Sequence, residues 1–112
     1  MNLKLLSSKP GSVQDLKEIF ETFIPHDLKL SIYEYAQWLD GDPEIEHLEG
    51  FEDIERMVPS WPYAMKAYAI KYKDFCFNLC NQLKLEDESI AWTNLIKAIA
   101  FGGNEYLDEL YA

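Results

Sequence analysis

Cysteine and histidine are scarce in this chain, which limits the disulfides that cysteines could form and the metal sites that both residue types could build. Its 112 residues include two of each: Cys76, Cys80, His26 and His47. The cysteines are four residues apart in a predicted helix, so they share a face but are poorly placed for a disulfide. A zinc site needs further ligands at characteristic spacing, and the histidines are far away in sequence. We therefore expect two buried thiols, no metal and no cofactor.

Long apolar segments are also missing. No stretch approaches the ~20 apolar residues that a membrane span requires. The N-terminal residues have one lysine and a few apolar residues, without the apolar run of a secretory signal. We expect a cytoplasmic protein that does not bind membranes.

Motifs of common catalytic sites are absent as well. The sequence has no G-x-S-x-G, H-E-x-x-H, P-loop or glycine-rich dinucleotide turn. Glu44 and His47 form one E-x-x-H step, whereas a di-iron bundle needs two such steps and two further glutamates. A thiol nucleophile made from Cys76 or Cys80 with His47 has no local activating feature. The chain is not expected to be an enzyme.

Aromatic residues, in contrast, make up 14% of the chain, and they recur with other apolar residues at helical spacing. Ser12 is a typical N-cap, and the apolar residues after it predict an amphipathic helix that ends before Pro25. Ser31 and Glu34 fit a capping box, with Leu30 placed to pack on Tyr35. The second helix is therefore predicted at about residues 32–39. The apolar residues of the first helix are Leu16, Ile19, Phe20, Phe23 and Ile24.

Proline and glycine divide the middle of the chain. Asp42 and Pro43 predict the N-cap and first residue of a short third helix, which breaks at Gly50 and resumes over residues 51–58. The longest helix is predicted at about residues 61–83, with Ser60 as its cap and Pro62 in its first turn. Its apolar stripe favours a central core helix, and an exposed aromatic patch is the alternative. The stripe consists of Met65, Tyr68, Tyr72, Phe75, Cys76, Leu79 and Leu83.

A further helix is predicted to open at Asp87 or Glu88 and to end at the Gly102-Gly103 pair, in the left-handed conformation that glycine allows. Asn104 then caps a last turn. The inward-facing residues of this helix are predicted to be Ile90, Leu95, Ile96, Ile99 and Ala100.

These patterns together predict an all-α fold. We expect a compact bundle of five or six helices in a single acidic domain, residues 1–112, around the aromatic-rich helix at about residues 61–83. Residues 3–6 are expected to form a short N-terminal strand or an ordered arm.

The negative charge is concentrated in one segment. From Glu34 to Glu55 there are nine acids and no Lys or Arg, so this segment carries −9 of the net charge of −10. Such a concentration costs self-repulsion that a partner of opposite charge can offset. The candidate partner-binding residues are Glu34, Trp38, Asp40, Asp42, Glu44, Glu46, Glu49, Phe51, Glu52, Asp53, Glu55 and Trp61.

Two other interpretations of this segment stay open. A run of charge is often no more than a solvated face. Alternatively, the acids that follow Asp40 offer oxygen ligands for calcium, but their spacing does not fit the EF-hand loop.

By size, charge and helical character the chain is similar, at class level, to small bacterial or phage inhibitors, including immunity proteins that neutralise nuclease toxins. The resemblance implies an immunity or antitoxin protein that binds a basic protein surface and does not bind nucleic acid directly. One alternative is a phage-encoded mimic of nucleic acid that blocks a host defence machine of the anti-CRISPR or anti-restriction type. A second is a helical adaptor that binds through exposed aromatic residues.

Overall fold

The computed structural model describes residues 3–112 and contains six α-helices and one 3-10 turn. In this part of the chain there is no β-strand, and the predicted all-α fold of five or six helices is confirmed. The helices are α1 (Lys4–Ser7), α2 (Val13–Phe23), α3 (His26–Asp40), α4 (Phe51–Met57), α5 (Tyr63–Leu83) and α6 (Glu88–Leu110), and the 3-10 turn is Ile45–His47.

Helix α6 is the element around which the others assemble. It packs against α1, α2, α3 and α5, and it contributes ten buried residues. The prediction that α5 would be the longest helix is wrong, because α6 has 23 residues and α5 has 21. Helix α5 also begins at Tyr63 and not at Trp61, and Pro62 occupies its N-cap position, so Ser60 does not cap it.

The pair Gly102 and Gly103 lies inside α6, and the prediction that it would end the helix is wrong. A side chain at Gly102 would overlap the ring of Phe20, and one at Gly103 would overlap the hydroxyl of Tyr68. The two glycines therefore serve close packing between helices and do not supply a left-handed turn. Asn104 is likewise an internal residue of α6 and does not cap a separate turn.

Replacing Gly102 with Ala tests this packing. We expect Gly102→Ala to lower the free energy of unfolding by about 1–2 kcal/mol, because overpacking against buried Phe20 outweighs the ~1 kcal/mol gain in helix propensity. Urea unfolding measures the change. Gly11→Ala is the control, since its added methyl group would lie 3.4 Å from the nearest atom, an ordinary contact with Asp15. Equal stability of the two variants would contradict the packing described for Phe20.

Helix α3 begins six residues earlier than the capping box predicted. Pro25 ends α2 and occupies the N-cap position of α3, so Ser31 is an internal residue. The Ser31 hydroxyl instead shares a 2.9 Å hydrogen bond with the Tyr72 hydroxyl of α5. Leu30 is 50% exposed and does not form the predicted staple. The Ser31 hydroxyl, which the local sequence pattern assigned to a helix cap, therefore bonds to a residue that is distant in sequence.

The first described element is helix α1 (Lys4–Ser7), so the predicted short strand over residues 3–6 is wrong. Leu6 in α1 is fully buried, and the Asn94 side chain of α6 donates hydrogen bonds to the carbonyls of Leu6 (3.0 Å) and Ser8 (2.7 Å). Asn94 is the only polar or charged side chain that is buried among residues 3–112. These hydrogen bonds therefore hold α1 and the residue after it against α6.

The segment between α3 and α4 is mostly non-helical. Asp42 does not start a helix; its backbone is left-handed at φ 61°, and its N–H donates to the Leu39 carbonyl at the end of α3. The predicted third helix is reduced to the single 3-10 turn. The predicted resumption over residues 51–58 is confirmed within one residue as α4, which follows Gly50 at φ 93°.

Two predicted helix starts are correct. The Ser12 hydroxyl accepts a hydrogen bond from the Asp15 N–H (3.3 Å), and Asp87 Oδ1 accepts one from the Ile90 N–H (3.2 Å). Ile90 itself is 40% exposed, so its predicted inward orientation is wrong. The other predicted core residues of α6 are buried.

The core is rich in aromatic rings, and it also holds the two thiols. Cys76 and Cys80 are buried and unpaired, as predicted. In the same core, the ring of Trp92 stacks on those of Trp61 and Phe77, with centroid distances of 5.6 Å and 5.3 Å. Among the helices of residues 3–112, none has the length and apolar character that a bilayer span requires.

Candidate protein-binding surface

The carboxylates predicted as a binding face come from three consecutive elements: the second half of α3, the segment around the 3-10 turn, and α4. Eight of the nine are exposed and Glu55 is partly buried. We call these nine residues, together with Trp38, which lines a pocket with Glu34, the acidic surface. The exposed carboxylates are Glu34, Asp40, Asp42, Glu44, Glu46, Glu49, Glu52 and Asp53.

Two of the nine carboxylates have close cationic partners. Arg56 binds Asp53 at 2.7 Å, and Lys66 of α5 binds Glu55 at 2.6 Å. Within residues 3–112, no Lys or Arg forms an ion pair with the other seven. Most of the negative charge on this surface is therefore left without an internal counter-charge.

Tyr63, the first residue of α5, fixes the backbone that carries the central acids. Its hydroxyl accepts a hydrogen bond from the Ile45 N–H (2.7 Å) and donates to Glu46 Oε2 (2.7 Å), with the Pro43 carbonyl a second acceptor at 3.2 Å. The bond from Tyr63 lowers the pKa of Glu46. Desolvation, and then the Glu46 carboxylate, raise the pKa of Tyr63. One hydroxyl thus orders a loop that has almost no regular structure.

Removing this hydroxyl has a result that can be measured at single residues. In Tyr63→Phe we expect the pKa of Glu46 to rise toward its ordinary value of 4.5 and the Ile45 amide to exchange faster with deuterium. Because the folded-state pKa of Glu46 is lowered, its stabilisation is present above the unfolded-state pKa and is lost as pH falls through the folded-state pKa. Carboxyl NMR titration and hydrogen exchange measure both effects. A Glu46 pKa that does not change would contradict the role given to Tyr63.

A solvent-open cleft of about 490 Å³ lies beside Tyr63. Its walls carry three carboxylates and the ring of His47, whose Nε2 lies 3.0 Å from Glu44 Oε2. A second, smaller cavity of about 280 Å³ runs along the start of α4, and Glu46 lines both. This arrangement suits the side chain of a Lys or Arg, which brings charge and hydrogen-bond donors to several carboxylates at once. The first cleft is lined by Asp42, Pro43, Glu44, Glu46, His47 and Tyr63.

Trp38 is the exposed aromatic residue of this surface. Its ring is 44% exposed and stacks on Tyr35 at 5.1 Å. Burial raises the pKa of Tyr35 to about 12, and the Tyr35 hydroxyl donates to the Ala67 carbonyl of α5 at 3.0 Å. The Lys71 Nζ atom also lies over the Tyr35 ring, 5.1 Å from its centroid. Trp38 is therefore held on a rigid base with one face open to a partner.

The other two aromatic candidates are less accessible. Phe51 is partly buried at the start of α4, where it lines the smaller cavity. Trp61 is also partly buried, and its ring belongs to the stack on Trp92. Sequence reasoning missed Tyr63, which fixes the loop, and Met57, which is exposed at the end of α4. The Pro62-Tyr63 step could have indicated that Tyr63 begins the long helix, but it does not indicate that Tyr63 bonds to Glu46.

Burial disfavours ionisation of the two core thiols. Burial raises the pKa of Cys76 well above its ordinary value and that of Cys80 to about 11, so both stay protonated at neutral pH. Among residues 3–112, no group of three His, Cys, Asp or Glu side chains is arranged to hold a metal ion. The chemistry that the acidic surface offers is binding by charge.

No protein-family model, curated protein or solved structure matches this chain.

Proposed function

We propose that this chain is a non-catalytic protein inhibitor that acts in the cytoplasm by covering a basic surface of its target with the acidic surface. In its most specific form, the proposal is an immunity or antitoxin protein that neutralises a basic nuclease toxin. The observation that carries it is the set of seven exposed carboxylates without a Lys or Arg partner among residues 3–112, of which Glu46 is held in place by Tyr63.

Electrostatic complementarity is the physical reason for this choice. Like charges held on one face repel one another, and a partner with Lys and Arg on its surface relieves that repulsion as it binds. A nuclease cleft that holds phosphates has such a surface. The cleft beside Tyr63 would receive one of its cationic side chains, and Trp38 would supply the apolar anchor that charged contacts alone lack.

A phage-encoded mimic of nucleic acid that blocks a host defence machine would use the same surface. The immunity protein and the mimic differ in their target, which is a nuclease toxin for the first and a host defence enzyme for the second. The exposed ring of Trp38 favours a second candidate, an adaptor that binds a partner helix through aromatic contacts. Binding by charge weakens steeply as salt rises, whereas aromatic packing is nearly independent of salt.

Affinity capture from the native host tests the proposal. The immobilised protein is compared with two triple variants, Glu44→Lys/Glu49→Lys/Glu52→Lys in the acidic surface and Glu105→Lys/Asp108→Lys/Glu109→Lys on exposed positions of α6. We expect wild type and the α6 variant to retain one basic protein, and the acidic-surface variant to lose it. Purified target is then assayed for nuclease activity with and without the inhibitor.

The outcomes distinguish the candidates. Inhibition of a nuclease toxin supports the immunity form, and inhibition of a host defence enzyme supports the mimic. A partner that both variants retain, and that Trp38→Ala loses without dependence on salt, would replace the proposal with the adaptor. A captured protein without a basic surface would also contradict it.

A further inference from the structure

A basic concave region lies where the connection between α1 and α2 meets α6. Two adjacent cavities there, of about 270 and 230 Å³, share Lys9 and Lys97 in their walls. The hydroxyl groups of Ser12, before α2, and of Ser89 and Thr93, on α6, also line these cavities. We call this region the lysine cleft and define it by Lys9, Ser12, Ser89, Thr93 and Lys97.

The two lysines have no acidic counterpart. No Asp or Glu lines either cavity, and within residues 3–112 neither lysine forms an ion pair. The chain has twenty acids for ten bases, and Lys29, Arg56 and Lys66 all pair with one of them. Two cations placed together without an anion repel each other, so the cleft offers positive potential that a bound anion would neutralise.

The remaining polar groups of the cleft are also suited to an anion. The hydroxyl oxygen of Ser12 accepts a hydrogen bond from the Asp15 N–H, which leaves its own O–H free to donate. Ser89 and Thr93 add two more hydroxyl donors from the first turns of α6. The Asp15 carboxylate lies nearby, because it accepts a hydrogen bond from the Gly11 N–H (2.8 Å), but it does not line the cavities.

A buried side chain builds the cleft. Asn94, which is 2% exposed, holds the carbonyls of Leu6 and Ser8 and so places Lys9, the next residue, against α6. Lys97 lies three residues after Asn94 on the same helix, which brings it to the same face. Burying an amide is costly unless it is bonded, and here the bonds fix the backbone that carries one lysine beside the other.

We propose that the lysine cleft binds an oxyanion of the phosphate class, at a site separate from the acidic surface. A phosphate monoester carries nearly two negative charges and three acceptor oxygens at neutral pH, which matches two lysines and three hydroxyls better than a carboxylate does. Leu16 and Ile90 flank the polar groups and would contact an apolar part of an ester ligand.

Calorimetric titration with inorganic phosphate, at an ionic strength kept constant with chloride, tests the proposal. We expect saturable binding at one site, weakened at least about tenfold in Lys9→Gln/Lys97→Gln. The matched control is Lys17→Gln/Lys73→Gln, which changes the net charge equally but replaces lysines outside both cavities and should bind as wild type does. Circular dichroism confirms that both variants are folded.

Titrations with phenyl phosphate and with acetate identify the chemistry of the ligand. Tighter binding of phenyl phosphate than of inorganic phosphate indicates an ester with an apolar group, and equal binding indicates the free anion; both support the site. Acetate that binds as well as phosphate would overturn the phosphate class. The absence of saturable binding, or an equal loss in the two double variants, would overturn the site itself. None of these results depends on the partner of the acidic surface.

Discussion

Reversing three carboxylates of the acidic surface, as Glu44→Lys/Glu49→Lys/Glu52→Lys, is expected to weaken binding of the basic target by about a thousandfold. A close charge pair across an interface contributes about 1.5 kcal/mol or more, so three lost pairs account for that factor. Folding should change far less, because the three residues are exposed and substitutions at such positions cost within about 0.5 kcal/mol each. Surface plasmon resonance with the captured target measures both rate constants.

The α6 triple variant, Glu105→Lys/Asp108→Lys/Glu109→Lys, is the control for net charge. It changes the charge of the molecule by the same amount, so it reports the effect of the overall field on association. We expect a modest decrease in association rate from the α6 variant and a large decrease in affinity from the acidic-surface variant. Equal effects would mean that whole-molecule charge governs binding, and the interface would no longer be assigned to the acidic surface.

Placing a charge in the core at Cys76 is the second change with a large expected effect. Cys76 is fully buried, and a carboxylate there has no cationic partner within the apolar core. We expect Cys76→Asp to lower the free energy of unfolding by several kcal/mol, in the range for an unpaired buried charge. Thermal and urea unfolding measure the loss.

Cys76→Ser provides the comparison for this variant. Serine is similar in size and uncharged, so its cost should be distinctly smaller, that of one buried hydroxyl. Asp74→Asn, at an exposed position on the same helix, should leave stability unchanged within about 0.5 kcal/mol. If Cys76→Asp melted within a degree or two of wild type, α5 could not be packed through this face.

Local signals in the sequence were reliable where the helix ends interact with their own neighbours. Ser12 and Asp87 cap α2 and α6 with side chains that reach only three residues along the chain. Pro25 ends α2 because its ring cannot continue the helix. Such effects need no knowledge of the rest of the fold.

The errors arose where a distant element uses the same residue. The hydroxyl of Ser31 bonds to Tyr72, forty-one positions away, so α3 continues through it. The Gly102-Gly103 pair is a frequent helix terminator, yet here the rings of Phe20 and Tyr68 require residues without side chains. No pattern within a few residues of these positions contains that information.

The candidate site was predictable in charge but not in structure. The sequence located the carboxylates between Glu34 and Glu55, and eight of the nine are exposed. It did not show that Lys66 neutralises Glu55 or that Tyr63 orients Glu46, because both partners lie on α5. The inclusion of Trp61 as an anchor rested on its nearness in sequence, whereas its ring is stacked on Trp92.

The position of α6 at the centre of the fold also determines when folding can finish during synthesis. Helices α2 and α3 leave the ribosome before α6, but both pack against it in the folded protein. Asn94 closes the connection to α1 across more than eighty residues. Until residues 88–110 have emerged, the faces of α2 and α3 that pack on α6 stay exposed, and transiently exposed apolar surface of this kind favours aggregation.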